Sequence, residues 1–388
     1  MKKKSSLLFV SFLALSLAGC TNDLQVPVEN AGKALRDASA DAVKLVTEFR
    51  NEVSPAESRT VGLEVDACES TTYTVATGAK TAARSAGDVS DSTQVDVQCI
   101  KFHQGDKPGF AFVSSDPRIN RVYVFIEEGE IADTAEVVPL KWYIDEIPGI
   151  VAEDIRMYYA EPKSRAEAKT TTLVGPLLKT LWDQGAPYNR YVPVCSSNVG
   201  SPNYGHCPAG CVPIAVAQVI AYCQRFKGTY YGNKDIDFDA LTSVSSFSRT
   251  ATSELATQAA RFVHEVAMYC QVDFACDGSG SYLKSGYQYL KDLGYTCSYV
   301  DNKDVDVNRL LTNLKRGIPH LTAGNRKSDG NGHAWVVDGL KMLSTGAYNY
   351  HCNWGMSNIH AGWVSDYCQP VESTIFNDDN RQIYITGY

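Results

Sequence analysis

A mixed α+β fold is predicted by three stretches of this chain. The first is GHCPAGCVPIAVAQVIAYCQRFKG, residues 205–228. Proline is tolerated in a first helical turn, whose N–H groups have no intrahelical partner, and glycine ends helices. Pro213 and Gly228 therefore bound a buried helix expected over 212–227, with Cys211 at its start. The second is NGHAWVVDG, residues 331–339, a polar turn followed by aromatic and β-branched residues, which predicts a mostly buried strand opening at His333. The third is an alternating region in which Val95–Phe102, Gly109–Ser114 and Val122–Ile126 read as short strands, with a turn at Asp106-Lys107-Pro108-Gly109.

Taken in order, the chain opens with Lys2, Lys3 and Lys4 and an apolar run, Leu7–Ala18, too short to span a bilayer as a mature helix. Its end, Leu17-Ala18-Gly19-Cys20, resembles the lipobox of bacterial lipoproteins. That resemblance implies a signal peptide over 1–19, lipid attachment at Cys20, and a membrane-anchored protein of the bacterial cell envelope, at the outer membrane or cell surface, or released after processing. Residues 31–53 form an amphipathic helical pattern, 75–93 a loose Ala/Ser/Thr/Gly loop, and 134–160 a helix interrupted at Pro148-Gly149. The polar stretch EPKSRAEAKTTT, residues 161–172, separates two folded halves, expected as domains over 20–165 and 170–388. Its Lys163, Arg165 and Lys169 also make it a candidate cleavage site.

In the second half, Leu177, Leu178, Leu181 and Trp182 read as a short apolar helical face, broken by Asp183-Gln184-Gly185. A side-chain amide beside a glycine, as at Gln184, can aim a donor at developing negative charge. Residues 253–270 place Leu255, Ala259, Phe262, Val263 and Val266 on one helical face, with His264 beside it as a structural residue. A Gly/Ser loop at 277–281 opens a helix ending at Gly294; no Gly-Lys-Ser/Thr follows, so it is not a phosphate loop. A helix over 305–316 and a strand over 318–323 lead into the His333 hairpin, and Ser344-Thr345-Gly346 turns the chain back.

Composition narrows the function. With 388 residues, 44% of them hydrophobic and 21% charged, the chain is an ordinary globular one with room for two domains. A net charge of −8 argues against a nucleic-acid partner. An exported chain with 12 cysteines can oxidise some of them. Cys68 and Cys99 are candidates to pair in the N-terminal half, and the connectivity of the others is open. The chain has no pair of CxxC units, so neither zinc nor another cofactor is expected.

The chemistry points to acyl transfer. A helix N-terminus carries partial positive charge and free N–H groups, both of which favour a thiolate at Cys211. A cysteine and a histidine distant in sequence, here Cys211 and His333, can form a nucleophile–base pair in space.

Four blocks then carry a resemblance. LLKTLWDQGAPYN, GCVPIAVAQVIAY, GHAWVVDG and YHCNWG occur in this order, and with it the chain resembles the streptopain family of secreted cysteine peptidases. The resemblance covers about residues 170–388 almost throughout; GFAFVSSDPRINRVYVFIEEGE carries a weaker likeness to the family's propeptide. It implies a papain-like peptidase domain preceded by an α+β propeptide domain. Cys211 matches the nucleophile, His333 the general base, Gln184 an oxyanion-hole donor, Asn353 the residue near the imidazole, and Trp354 a shield over the site. Asn353 is preferred over Asp338 as the group orienting the ring. Where the family continues Trp-Gly-Trp-Gly, this chain has Met356 and Ser357, which puts the pocket beside His333 in question. The expected partners are protein or peptide substrates with a hydrophobic residue two positions before the scissile bond, and the chain's own propeptide as inhibitor. Two rival readings are a thiol amidase or acyltransferase acting on non-protein amides and a catalytically silent surface binding protein.

Overall fold

The computed structural model describes residues 28–54, 60–76, 92–135, 137–160, 169–201, 203–224, 236–301, 305–325, 331–356, 359, 361–365 and 380–388. The described residues from 38 onward form one compact unit, and 28–37, which are helical, fall in a separate one. The signal segment, Cys20 and residues 161–168 of the junction lie outside the described residues.

The larger unit is built on a single eleven-stranded sheet. It begins as an antiparallel meander of β1 (Glu64–Ala76), β2 (Ser92–Gln104), β3 (Lys107–Ser114) and β4 (Arg121–Ile126). Strand β4 pairs with β10 (Ala361–Ser365). The sheet then runs through β9 (Tyr348–Asn353), β8 (Gly332–Leu343), β7 (His320–Asn325), β11 (Arg381–Gly387) and β6 (Thr296–Asp301), while β5 (Thr170–Val174) pairs alongside β8.

Both faces of the central strands are covered. On one side, α3 (Cys211–Cys223), α5 (Glu254–Tyr269) and α6 (Leu283–Asp292) pack with Ala334 and Val336 of β8. On the other, α2 (Val138–Ala160) and α7 (Val307–Lys315) pack with Trp335 and Val337. A strand buried on both faces is continuously apolar rather than alternating, as AWVV is. A third cluster joins α1 (Val28–Val53), through Val46, Phe49 and Val53, to Ile100, Phe125 and Trp363.

Several sequence expectations are corrected. The 134–160 helix is not interrupted: α2 runs through Pro148, because Leu140, Tyr143, Ile147, Val151 and Ile155 are buried in one cluster and outweigh one lost hydrogen bond. No helix forms at 177–182; the Leu177 and Leu178 N–H groups donate to the Asp338 carboxylate at 3.1 and 2.8 Å instead. Helix α3 stops at Cys223, with Gln224 in the left-handed conformation (φ 52°), rather than reaching 227. Strand β1 was not anticipated; it is an edge strand with exposed polar residues, and gives no buried period. Cys68 and Cys99 are both free. Cys68 lies opposite Ile100 and Cys99 opposite Glu69, so the two thiols project from opposite faces of the sheet. Among the described residues, Cys195 and Cys276 form a disulfide instead.

An ion pair anchors α1 to β8. Lys341 is only 6% exposed; its Nζ sits 2.9 Å from Glu52 and 4.0 Å from the centre of the Phe49 ring. Burial pushes the Lys341 ammonium down, whereas Glu52 is held below the usual carboxylate range, burial being outweighed by Thr170 and Lys341. Glu52→Gln is expected to lower unfolding stability by about 1–2 kcal/mol. That is less than breaking a fully buried pair costs, because Glu52 stands nearly half in solvent. Urea denaturation measures it; an unchanged midpoint would mean the pair contributes nothing.

Candidate active site

Helix α3 is apolar on every side and buried from Val212 through Ala221, so it is held rigidly in the core. Asp237, Ser253 and Asp306 cap α4 (Phe238–Ser243), α5 and α7 with side-chain oxygens, whereas α3 begins after Gly210 and, like α6, has no side-chain cap. Gly210 adopts φ +96°, and a Cβ there would stand 3.3 Å from Pro213 and 3.5 Å from the Ser279 carbonyl, so glycine suits both the turn and the space. With no side chain competing for them, the first amides of α3 are left to Cys211.

Cys211 is a free, partly exposed thiol at the first position of α3. Burial by itself would push its pKa up. The charge and hydrogen bond of His333, with the backbone amides of Ala334 and Val212, outweigh this and hold the thiol below its ordinary range. The converse holds for His333. Burial favours the neutral ring, but the Cys211 thiolate, a hydrogen bond to it and the Trp354 carbonyl raise the imidazole above its usual value. His333 stands near the start of β8, 8% exposed, and its Nε2 lies 2.7 Å from the Trp354 carbonyl oxygen. A carbonyl only accepts, so Nε2 carries a proton and Nδ1 is left for the sulfur. The ring of Trp335 is stacked at 6.4 Å from the imidazole.

The expected orienting group is corrected. Neither Asn353 nor Asp338 orients the ring. The Asn353 amide donates to the Thr180 carbonyl at 2.8 Å and is paired with Gln218. Asp338 is fully buried and is engaged by His351 at 2.6 Å and by the Leu177 and Leu178 amides. The group that holds the imidazole is the main-chain carbonyl of Trp354. The Trp354 indole is buried and packs on Trp335 at 6.2 Å. Met356, in place of the expected second tryptophan, is half-buried against the same cluster.

Gln184 lies in a loop pinned at both ends. The Asp183 carboxylate accepts from the Gly185 amide at 2.6 Å, and the Gln184 carbonyl accepts from Ala209, two residues before Cys211, at 2.8 Å. Gln184 is partly exposed and thus free to meet a ligand beside α3. The amides of Ala334 and Val212 and the carbonyl of Trp354 were missed by sequence reasoning, since main-chain groups leave no residue-type signal. Gln218 was also missed, although a lone amide inside an apolar helix is a visible anomaly. A cavity of about 480 Å³ lined by Tyr191, Val194, His264, Met268 and Phe274 includes neither Cys211 nor His333. No cluster of metal-ligating side chains occurs among the described residues, and no described helix is long and apolar enough to cross a membrane.

The pair makes a pH prediction. Cys211 must be ionised and His333 protonated, so turnover should rise as pH climbs through the lowered thiol value and fall as pH passes the raised imidazole value. A bell-shaped kcat/KM profile checks this; a rate that climbs steadily into the ordinary thiol range would refute the ion pair.

A thiol at an uncapped helix end, hydrogen-bonded to an imidazole on a neighbouring strand, is an arrangement fitted to nucleophilic acyl transfer. Comparison with known proteins agrees: residues 182–364 match the Peptidase C10 family. A curated relative, the thiol protease/hemagglutinin PrtT of Porphyromonas gingivalis, is 27% identical over 304 residues, covering 67% of this chain and 33% of the relative. The chain thus spans about a third of the length of the curated relative it matches.

Proposed function

We propose that the chain is an exported, lipid-anchored cysteine endopeptidase made as a precursor, whose N-terminal half covers the peptidase half until it is cut away. The observation that carries the reading is the hydrogen-bonded Cys211–His333 pair at the open end of α3. The thiolate attacks the scissile carbonyl carbon, forming a C–S bond. The oxyanion meets main-chain N–H at the start of α3 and the Gln184 side chain. The His333 imidazolium gives its proton to the leaving amine as the C–N bond breaks. Neutral His333 then takes a proton from water, which hydrolyses the thioester and restores the ion pair.

The N-terminal half meets the peptidase half through the β4–β10 pairing, through α2 against Trp335 and Val337, and through the Glu52–Lys341 contact, so these are the contacts that a cut within the junction would have to free. Strand β5 is paired with β8, so a cut within 161–168 leaves 170–174 seated on the peptidase half. Lipid attachment at Cys20 rests on the lipobox resemblance.

The test is incubation of the full chain, under mild reductant, with casein. Casein degradation together with conversion to a band near half the precursor mass is expected. Intact casein alongside turnover of a non-protein amide would favour an amidase, and loss of both activities would favour a binding protein.

A further inference from the structure

One of the buried polar side chains that the mechanism does not use lies on the nucleophile's own helix. Gln218 lies seven residues into α3, fully buried among apolar neighbours. It faces Asn353, itself 2% exposed, in a reciprocal amide pair: Gln218 Nε2 donates to Asn353 Oδ1 at 3.1 Å, and Asn353 Nδ2 donates to Gln218 Oε1 at 3.3 Å. The same Gln218 oxygen accepts from the Trp182 amide at 3.2 Å. Asn353 in turn donates to the Thr180 carbonyl at 2.8 Å and accepts from the Gly355 amide at 3.3 Å.

These bonds join the three segments that supply the reacting groups. Helix α3 carries Cys211. The 180–182 segment leads directly into Gln184. The 353–355 segment presents, between its two anchored ends, the Trp354 carbonyl that holds His333. Close approach supports the junction: Gly355 adopts φ +62°, and a Cβ there would fall 2.7 Å from Ile214 of α3. Buried amides are costly unless fully paired, and paired ones define a unique geometry.

We propose that Gln218 is a positioning residue: through its amide pair with Asn353 it sets the Trp354 carbonyl, and hence His333, against Cys211, and it fixes the approach to Gln184. Asn353 belongs to this clamp rather than to the imidazole. The proposal rests on the peptidase reading above.

The test uses the full chain, with Gln218→Met, which keeps the length but cannot bond, and the exchange variant Gln218→Asn/Asn353→Gln, which restores one long and one short amide. Two quantities are read per folded molecule, with the folded fraction taken from circular dichroism. These are kcat and KM on a fluorogenic peptide, and the pH dependence of Cys211 alkylation by iodoacetamide. For Gln218→Met, kcat is expected to fall about 100-fold with KM nearly unchanged, as displacement of reacting groups by about 1 Å does. The acid limb of alkylation should move toward the ordinary thiol range. The exchange variant should recover most of both. A folded Gln218→Met with the wild-type kcat and alkylation profile would overturn the proposal, as would a loss confined to the amount of folded protein. If Gln218→Met does not fold, Gln218→Glu, which keeps the acceptor and loses the donor, is judged by the same readouts. A wild type that shows neither peptide turnover nor low-pH alkylation of Cys211 would instead sink the peptidase reading itself, and the clamp with it.

Discussion

Cys211→Ala is expected to abolish proteolysis, lowering kcat/KM by at least about 10⁴-fold, the scale on which loss of a nucleophile acts. The chain should then remain at the precursor mass, since the nucleophile is gone. Burial raises Cys223, Cys270 and Cys297, to about 12 for Cys223, about 11 for Cys297 and further for Cys270, so these thiols stay protonated and inert. At Cys211, by contrast, burial is outweighed by an imidazolium and two amides. The fold should tolerate the change, because Cys211 stands at the edge of the core cluster and loses a single atom. Mass spectrometry of the precursor beside a thermal melt checks both halves. Proteolysis persisting in Cys211→Ala would place the nucleophile elsewhere.

His333→Ala should lower kcat/KM on the order of 10⁴-fold, because the same ring ionises the thiol and protonates the leaving amine. The sign of the thiol response separates the two roles. Without the imidazolium, Cys211 retains the Ala334 and Val212 amides but loses its largest stabilising partner, so its pKa must rise. Alkylation near neutral pH should therefore slow sharply, then recover above about pH 9, where ordinary thiols ionise. Proteolysis should not recover there, since the proton donor is gone. Alkylation unchanged at neutral pH would mean that the helix end alone ionises the sulfur.

Much of this site was legible in the residues. The apolar run after Cys211 specified a buried helix because its hydrophobicity is continuous and its start is marked by glycine and proline. The strand at His333 was legible for the same reason, and the α5 stripe fell where its period placed it. Residues 177–182 misled because helical periodicity cannot reveal that Asp338, far along the chain, takes their N–H groups. Asn353 misled because its motif lies one residue before the carbonyl that holds the ring. Its own amide is turned to Gln218, a partner 135 positions away.

What the sequence determined by itself is the chemistry: a cysteine at the head of an apolar helix, and a histidine opening a buried strand. Local pattern is sufficient there, because helix polarity and strand burial follow from neighbouring residues. Tertiary structure alone decided which groups tune that chemistry. The Ala334 amide, the Trp354 carbonyl and the Gln218–Asn353 pair are defined by strand register and helix packing. Main-chain donors and acceptors are the same at nearly every residue, so only the fold can select which of them face the sulfur and the ring.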